Sequence, residues 1–162
     1  MKTSASFFCS SILLLSGAVH ASDKDITLNS IAPYYDLKII PSNISSECKE
    51  LGAQMAAATK VNLERDGWSV ILTDESSIKN EGAQIKLIIM NAMSSGNAFM
   101  GHQKSVSINA ELYREGKLVD TYVGTRGSGG GFGAGFKGSC QVLERCVTTL
   151  GKDVAKWLKT KS

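Results

Sequence analysis

One stretch of strict alternation constrains the fold of this chain more than any other feature. Within residues 104–114, apolar side chains occupy every second position: Val106, Ile108, Ala110 and Leu112. Period two predicts a β-strand with one buried face and one solvated face. Glu115-Gly116 follows at once and predicts a tight hairpin into a further strand over residues 117–125.

The remaining apolar patterns predict the other elements. β-formers before Pro41 predict a strand over residues 34–40, and a run of N-cap residues predicts a helix that begins at residues 42–46 and ends at Arg65. Strands are predicted over residues 68–72 and 84–90. A last helix is predicted from its cap at Ser139 to about Lys159, with an apolar stripe.

This order predicts an α+β fold, namely a mainly antiparallel sheet of four to five strands with two long helices packed on one face. The first strand, the helix and the second strand favour a parallel pair. Three regions are expected: a signal peptide over residues 1–21, an N-terminal arm over residues 22–33 and a single α+β domain over residues 34–162. A glycine-rich loop over residues 124–138 interrupts that domain.

The N-terminus has the zones of a cleavable signal peptide. Lys2 supplies the positive start, residues 7–15 are largely apolar, and Val19 and Ala21 fit the −3 and −1 positions of a cleavage site. The apolar run is about half as long as the roughly 20 residues that a membrane span needs. We therefore expect export to the periplasm or the extracellular space, without a transmembrane anchor.

Three cysteines remain after cleavage: Cys48, Cys140 and Cys146. In an oxidising compartment two of them are expected to pair. Six residues of regular helix separate Cys140 from Cys146 by about 9 Å of rise, beyond the reach of a disulfide. Cys48 is therefore expected to pair with one of the other two, and the sequence leaves open which one.

The charge balance argues against nucleic acid as a partner. The whole chain has 18 basic and 15 acidic side chains, and Lys2 is the only charge in the expected signal peptide. Such a small excess of positive charge, alternating along the chain, is typical of a solvated surface. No cofactor is indicated.

The glycine-rich loop has eight glycines and leads into the last helix. Glycine amides at a helix N-terminus favour an anion, and the aromatic side chains suggest a partner surface. The candidate residues of this loop are Arg126, Phe132, Phe136, Lys137 and Ser139. Gly138 separates Lys137 from Ser139, so the spacing is not that of a P-loop. A strand-to-helix connection without further function is the alternative.

Metal and catalytic chemistry have few candidates. Met93, Met100 and His102 form a weak candidate set for Cu(I), which thioether and imidazole ligands suit. After cleavage His102 is the only histidine, so a histidine-dependent hydrolase has a single centre to use. Exposed acids on predicted turns and strands do not form a recognisable pair. We expect no catalytic residues.

The element order, together with Asp153–Leu158 (DVAKWL) in the last helix, resembles uncharacterised proteobacterial envelope proteins. It is distantly similar to the α+β domain of curli-secretion-type lipoproteins, although this chain lacks their lipobox cysteine. The resemblance implies an accessory or assembly role in the envelope. The leading hypothesis is thus an exported, non-enzymatic binding or assembly-accessory protein whose partner is another envelope protein. The alternatives are a periplasmic immunity protein against a toxin and a copper-handling protein.

Overall fold

The computed structural model describes residues 24–74, 80–97, 101–128 and 138–161. Within these ranges the chain forms five strands, three α-helices and a 3-10 turn at Leu37–Ile39. The strands are β1 (Asp25–Asn29), β2 (Ser69–Thr73), β3 (Ala83–Asn97), β4 (Gly101–Arg114) and β5 (Lys117–Ser128). The helices are α1 (Ser42–Glu47), α2 (Leu51–Arg65) and α3 (Ser139–Lys159).

The five strands form one sheet in the spatial order β2-β1-β3-β4-β5. β1 lies between β2 and β3 and is parallel to both. β3, β4 and β5 follow one another as antiparallel neighbours. The predicted α+β class is therefore confirmed, and the sheet is mixed because the internal strand β1 adds two parallel pairings.

The core lies between one face of the sheet and the helices α2 and α3. The alternating apolar positions of β4 are fully buried there: Val106, Ile108, Ala110 and Leu112. They join one cluster with the predicted stripe of α3: Leu143, Val147, Leu150, Val154 and Leu158. The intervening β4 residues Ser107, Asn109 and Glu111 remain half-buried on the opposite, open face.

The two long helices run parallel and side by side. Gln54 Nε2 donates to Glu144 Oε1 at 3.1 Å near their N-terminal ends, and Lys159 Nζ lies 3.8 Å from Asp66 Oδ1 near their C-terminal ends. Between these contacts the helices approach closely at Gly151. A Cβ atom there would lie 2.7 Å from the backbone of α2.

The predicted first strand is wrong. Tyr34 makes only a single bridge to Ile89, and the chain then forms a 3-10 turn, which the Asp36 carboxylate caps by accepting the Lys38 amide at 2.8 Å. The actual first strand is β1, within the segment that the sequence predicts as an arm. Ile26 and Leu28 are its only buried side chains. Two apolar residues among polar ones give a weak signal for a strand that lies inside the sheet.

Three further boundaries differ from the prediction. β3 continues to Asn97, although its predicted strand ends at residue 90. The helix expected to run unbroken to Arg65 is interrupted at residues 48–50, because Cys48 leaves the helical conformation (φ −100°, ψ 48°). β5 continues to Ser128, so residues 124–128 of the predicted glycine-rich loop are strand. Residues 129–137 lie outside the described part of the chain.

Candidate partner-binding surface

Residues 31–40 carry four large apolar side chains that are exposed to solvent, and we call these residues the apolar segment. The exposed fractions are 60% for Ile31, 69% for Tyr35, 62% for Leu37 and 55% for Ile39. Single exposed apolar side chains are common, but a concentration of large ones in one short segment is typical of an interaction site.

Backbone hydrogen bonds fix the apolar segment to the sheet and to α2. The Ile89 amide donates to Pro33 O at 2.8 Å, and the Tyr35 amide donates to Ile89 O at 2.9 Å. On the other side, the Ala32 amide donates to Gly52 O at 3.1 Å. These bonds hold the segment in one conformation, which lowers the entropy cost of binding a partner.

Other side chains of the apolar segment point into the protein and pack against the core. Ala32 and Ile40 are buried, and Tyr34 packs against the core cluster. Burial raises the pKa of the Tyr34 hydroxyl, which has no hydrogen-bond partner among the described residues. A phenol with a raised pKa stays protonated at neutral pH, so Tyr34 acts here as a packing residue.

A cavity of about 320 Å³ lies beside the apolar segment. It is at the carboxyl ends of the parallel strands β1 and β2, a place where open sheets commonly bind ligands. Its lining comprises Asn29, Ser30, Ile31, Pro33, Thr73, Asp74, Gln84 and Lys86. The Ser30 hydroxyl donates to the Asp74 carboxylate. Ile31 belongs to both the cavity and the apolar segment, so the two form a continuous surface.

The residues proposed for an anion or partner site in the glycine-rich loop are only partly described. Ser139 is the first residue of α3 and its Oγ lies 2.9 Å from Ser94 Oγ. The predicted cap at Ser139 is wrong, because Gly138 occupies the N-cap position. Phe132, Phe136 and Lys137 lie outside the described residues, so the loop site stays a prediction.

Arg126 lies in β5 and contacts α3. Its Nε donates to Asp153 Oδ2 at 2.7 Å, and this carboxylate raises the pKa of the guanidinium. Near the other end of β5, Lys161 Nζ lies 2.7 Å from Asp120 Oδ2, and Lys161 lowers the pKa of that carboxyl. Asp120 and Arg126 thus have partners on or just beyond α3, and Arg126 is part of the contact between strand and helix.

The cysteines fall into one bonded pair and one thiol. Cys48, at the break between α1 and α2, forms a disulfide with Cys140 in the first turn of α3, with the two Cα atoms 5.2 Å apart. The structure thus joins Cys48 to one of its two expected partners. Cys146 is buried and free, and burial raises the pKa of its thiol. A buried thiol with a raised pKa is a poor nucleophile and behaves as a core residue.

The candidate copper ligands are not described as a set. Met93 is on β3 opposite Ser105 and is 37% exposed, whereas Met100 and the side chain of His102 lie outside the described part. Among the described residues no group of three or more His, Cys, Asp or Glu side chains is arranged to hold a metal ion. The copper hypothesis and a hydrolase centred on His102 therefore stay predictions.

The sequence does not indicate the exposed apolar segment, because its pattern predicts a strand over residues 34–40. Tyr35, Leu37 and Ile39 alternate as strand residues do. However, Pro33 and Pro41 bracket the run, and a proline at each end was the available signal for an irregular segment.

Comparison with known proteins gives a likeness of fold alone. No family model matches the chain, and no curated protein matches it in sequence. Several solved structures do match over most of its length. A minor lipoprotein from Acinetobacter baumannii is 8% identical, with a TM-score of 0.52 over 86% of this chain and 94% of that one.

Two further structures have a similar likeness. Lipoprotein GNA1162 from Neisseria meningitidis is 14% identical, with a TM-score of 0.51 over 82% of this chain and 98% of that one. A PelC dodecamer from Paraburkholderia phytofirmans is 14% identical, with a TM-score of 0.53 over 82% of this chain and 88% of that one. The fold is thus one that bacterial lipoproteins also have, in line with the expected resemblance to envelope proteins. The link to curli secretion stays a prediction.

Proposed function

We propose that this chain is an exported protein of the bacterial periplasm that acts by binding another envelope protein, without catalysis. The apolar segment is the main support for this proposal. Exposing its apolar side chains to water is unfavourable, and burying them against a partner would remove that free-energy penalty. The signal-peptide pattern and the Cys48–Cys140 disulfide support an oxidising compartment. None of the described helices is both long and apolar enough to span a membrane.

The fold neighbours support an assembly role in particular. Two of them are named as lipoproteins, and the PelC structure is named as a dodecamer. A protein of this fold can therefore work as part of a larger complex. The described residues offer a binding surface whose backbone is held by hydrogen bonds to the sheet and to α2.

The test is capture from envelope extract with matched surface variants. The bait is the protein recovered from the periplasm, whose mass should place its first residue at Ser22. The double variant Leu37→Lys/Ile39→Lys puts two charges into the apolar segment. The control Val61→Lys changes a side chain on α2 that is 52% exposed. All three substitutions are at exposed positions, so each variant should unfold at the temperature of the wild type.

We expect one envelope protein to bind the wild type and the Val61 variant, and to bind the double variant at least tenfold more weakly when purified. Equal binding by the wild type, the double variant and the Val61 variant would show that the apolar segment does not bind the partner. If the purified partner is a toxin whose activity the chain blocks, the immunity alternative is the correct form of the proposal.

A further inference from the structure

β5 ends the sheet, and among the described residues no strand pairs with its outer side. The direction of its backbone groups follows from two contacts. The Thr121 amide donates to Asp120 Oδ1 at 2.8 Å, so it does not take part in the ladder with β4. The hydroxyls of Thr125 and Ser107 lie 2.9 Å apart across the β4–β5 pair, as suits a non-hydrogen-bonded pair with close side chains.

Hydrogen-bonded and non-hydrogen-bonded residue pairs alternate along an antiparallel ladder. Thr121, Val123 and Thr125 are therefore all in non-hydrogen-bonded pairs with β4, and their N–H and C=O groups point away from β4. The Val123 side chain is 71% exposed on the open face of the sheet. An edge of this length with outward polar groups and an exposed β-branched residue is a template for another strand.

The sequence of this edge is complementary to itself. Residues 120–126 read DTYVGTR. When two copies run antiparallel about Val123, Asp120 of one lies opposite Arg126 of the other, Thr121 opposite Thr125, and Val123 opposite Val123. Opposite charges, threonine pairs and β-branched pairs are the combinations that stabilise neighbouring strands. Tyr122 lies opposite Gly124, which the Tyr122 ring of its own chain already covers.

We propose that β5 pairs with β5 of a second copy of this chain about a twofold axis at Val123, which joins the two sheets into one. On the face of the sheet that packs against α3, positive and negative side chains of the two copies then lie next to one another across the axis. Lys161 and Asp120 of one copy meet Arg126 and Asp153 of the other, which extends the two ion pairs seen within each chain. On pairing, the Thr121 amide exchanges the Asp120 carboxylate for a carbonyl of the second copy.

The register is specific. A twofold axis one residue further, at Gly124, would place Asp120 opposite Ser128 and Thr121 opposite Gly127, and both favourable pairs would be lost. This surface is distinct from the apolar segment, so the dimer and the binding of an envelope partner are tested separately.

Disulfide trapping tests the axis directly, because only the residue on a twofold axis lies opposite itself. Val123→Cys should place two Cα atoms about 5.5 Å apart, within the reach of a disulfide. Under mild oxidation we expect a covalent dimer from this variant at micromolar concentration. Ile71→Cys is the matched control, since Ile71 is 60% exposed on β2 at the opposite edge. Cys146 is buried in both proteins and should not cross-link.

The register has its own readout. Thr121→Cys and Thr125→Cys should each stay monomeric under oxidation alone and should cross-link when mixed with each other. Sedimentation of the wild type should show a dimer in the same concentration range. A monomer in sedimentation, or equal cross-linking by the Val123 and Ile71 variants, would overturn the proposal. A dimer that only the Ile71 variant traps would overturn it as well, in favour of the β2 edge.

Discussion

The Asn29 side chain joins β1 to β3 at the point where the β1 backbone stops pairing with β3. Its side-chain Oδ1 accepts the Leu87 amide at 2.8 Å, and its Nδ2 donates to Leu87 O at 3.0 Å. The amide thus replaces a peptide unit in the parallel pairing between β1 and β3, and the chain resumes that pairing at Pro33 and Tyr35. Ser30 still donates its amide to Thr73 O of β2, and residues 31–32 then turn toward α2.

Asp120 provides a prediction at the scale of one residue. Its carboxylate accepts from Lys161, from the Thr121 amide and, at 3.3 Å, from Trp157 Nε1, and these contacts lower its pKa in the folded chain. A carboxyl whose folded pKa lies below its unfolded value stabilises the fold above about pH 4, and this stabilisation is lost as the pH falls through the folded pKa.

We expect an NMR titration to give Asp120 a midpoint below the ordinary value of about 3.9. In Lys161→Met the midpoint should rise, because the largest contribution is removed. Asp120→Asn should make the free energy of unfolding less dependent on pH below pH 4. An unchanged midpoint in the Lys161 variant would show that the contact with Lys161 is not maintained in solution.

At the scale of elements, the contact between α2 and α3 depends on the absence of a side chain at Gly151. An added Cβ would lie 2.7 Å from both Ala58 C and Thr59 N, which are backbone atoms that cannot move independently of α2. Gly151→Ala should therefore separate the helices and lower the free energy of unfolding by about 2 kcal/mol or more, in the range of overpacked cores.

Gly138→Ala is the matched control, since an added Cβ there meets no atom of the described residues within 4 Å and its φ of −53° suits alanine. Urea unfolding of both variants measures the difference. If Gly151→Ala is as stable as the control, the two helices are further apart in solution than the structure places them.

At the scale of the whole molecule, the disulfide joins the two helical ends across a sequence separation of 92 residues. A cross-link of this span restricts the unfolded chain and stabilises by about 4.6 kcal/mol in the chain-entropy model. The double variant Cys48→Ser/Cys140→Ser should accordingly unfold at a clearly lower urea concentration than the oxidised wild type.

Reductant supplies the control for this prediction. Dithiothreitol should lower the urea midpoint of the wild type to near that of the double variant, and it should leave the double variant unchanged. If dithiothreitol left the urea midpoint of the wild type unchanged, the disulfide would be contradicted. Alkylation of Cys48, Cys140 and Cys146 in the folded protein would contradict it as well.

The sequence by itself determined the elements with strong periodicity. β4 and α3 matched their predicted bounds closely because their apolar positions repeat over many residues, and the Glu115-Gly116 hairpin followed from local turn chemistry. Glu115 and Gly116 both have positive φ (49° and 73°), as a two-residue hairpin turn requires. The α+β class and the open polar face followed from the same patterns.

Only the tertiary structure decided which weak segment became an internal strand of the sheet and which apolar segment stayed outside the sheet. β1 is short and half polar, and it is a strand because β2 and β3 supply its hydrogen bonds on both sides. Residues 34–40 are more apolar, yet hydrogen bonds to Ile89 and Gly52 hold the apolar segment at the surface. Strand pairing is a contact between distant parts of the chain, so local periodicity does not determine it.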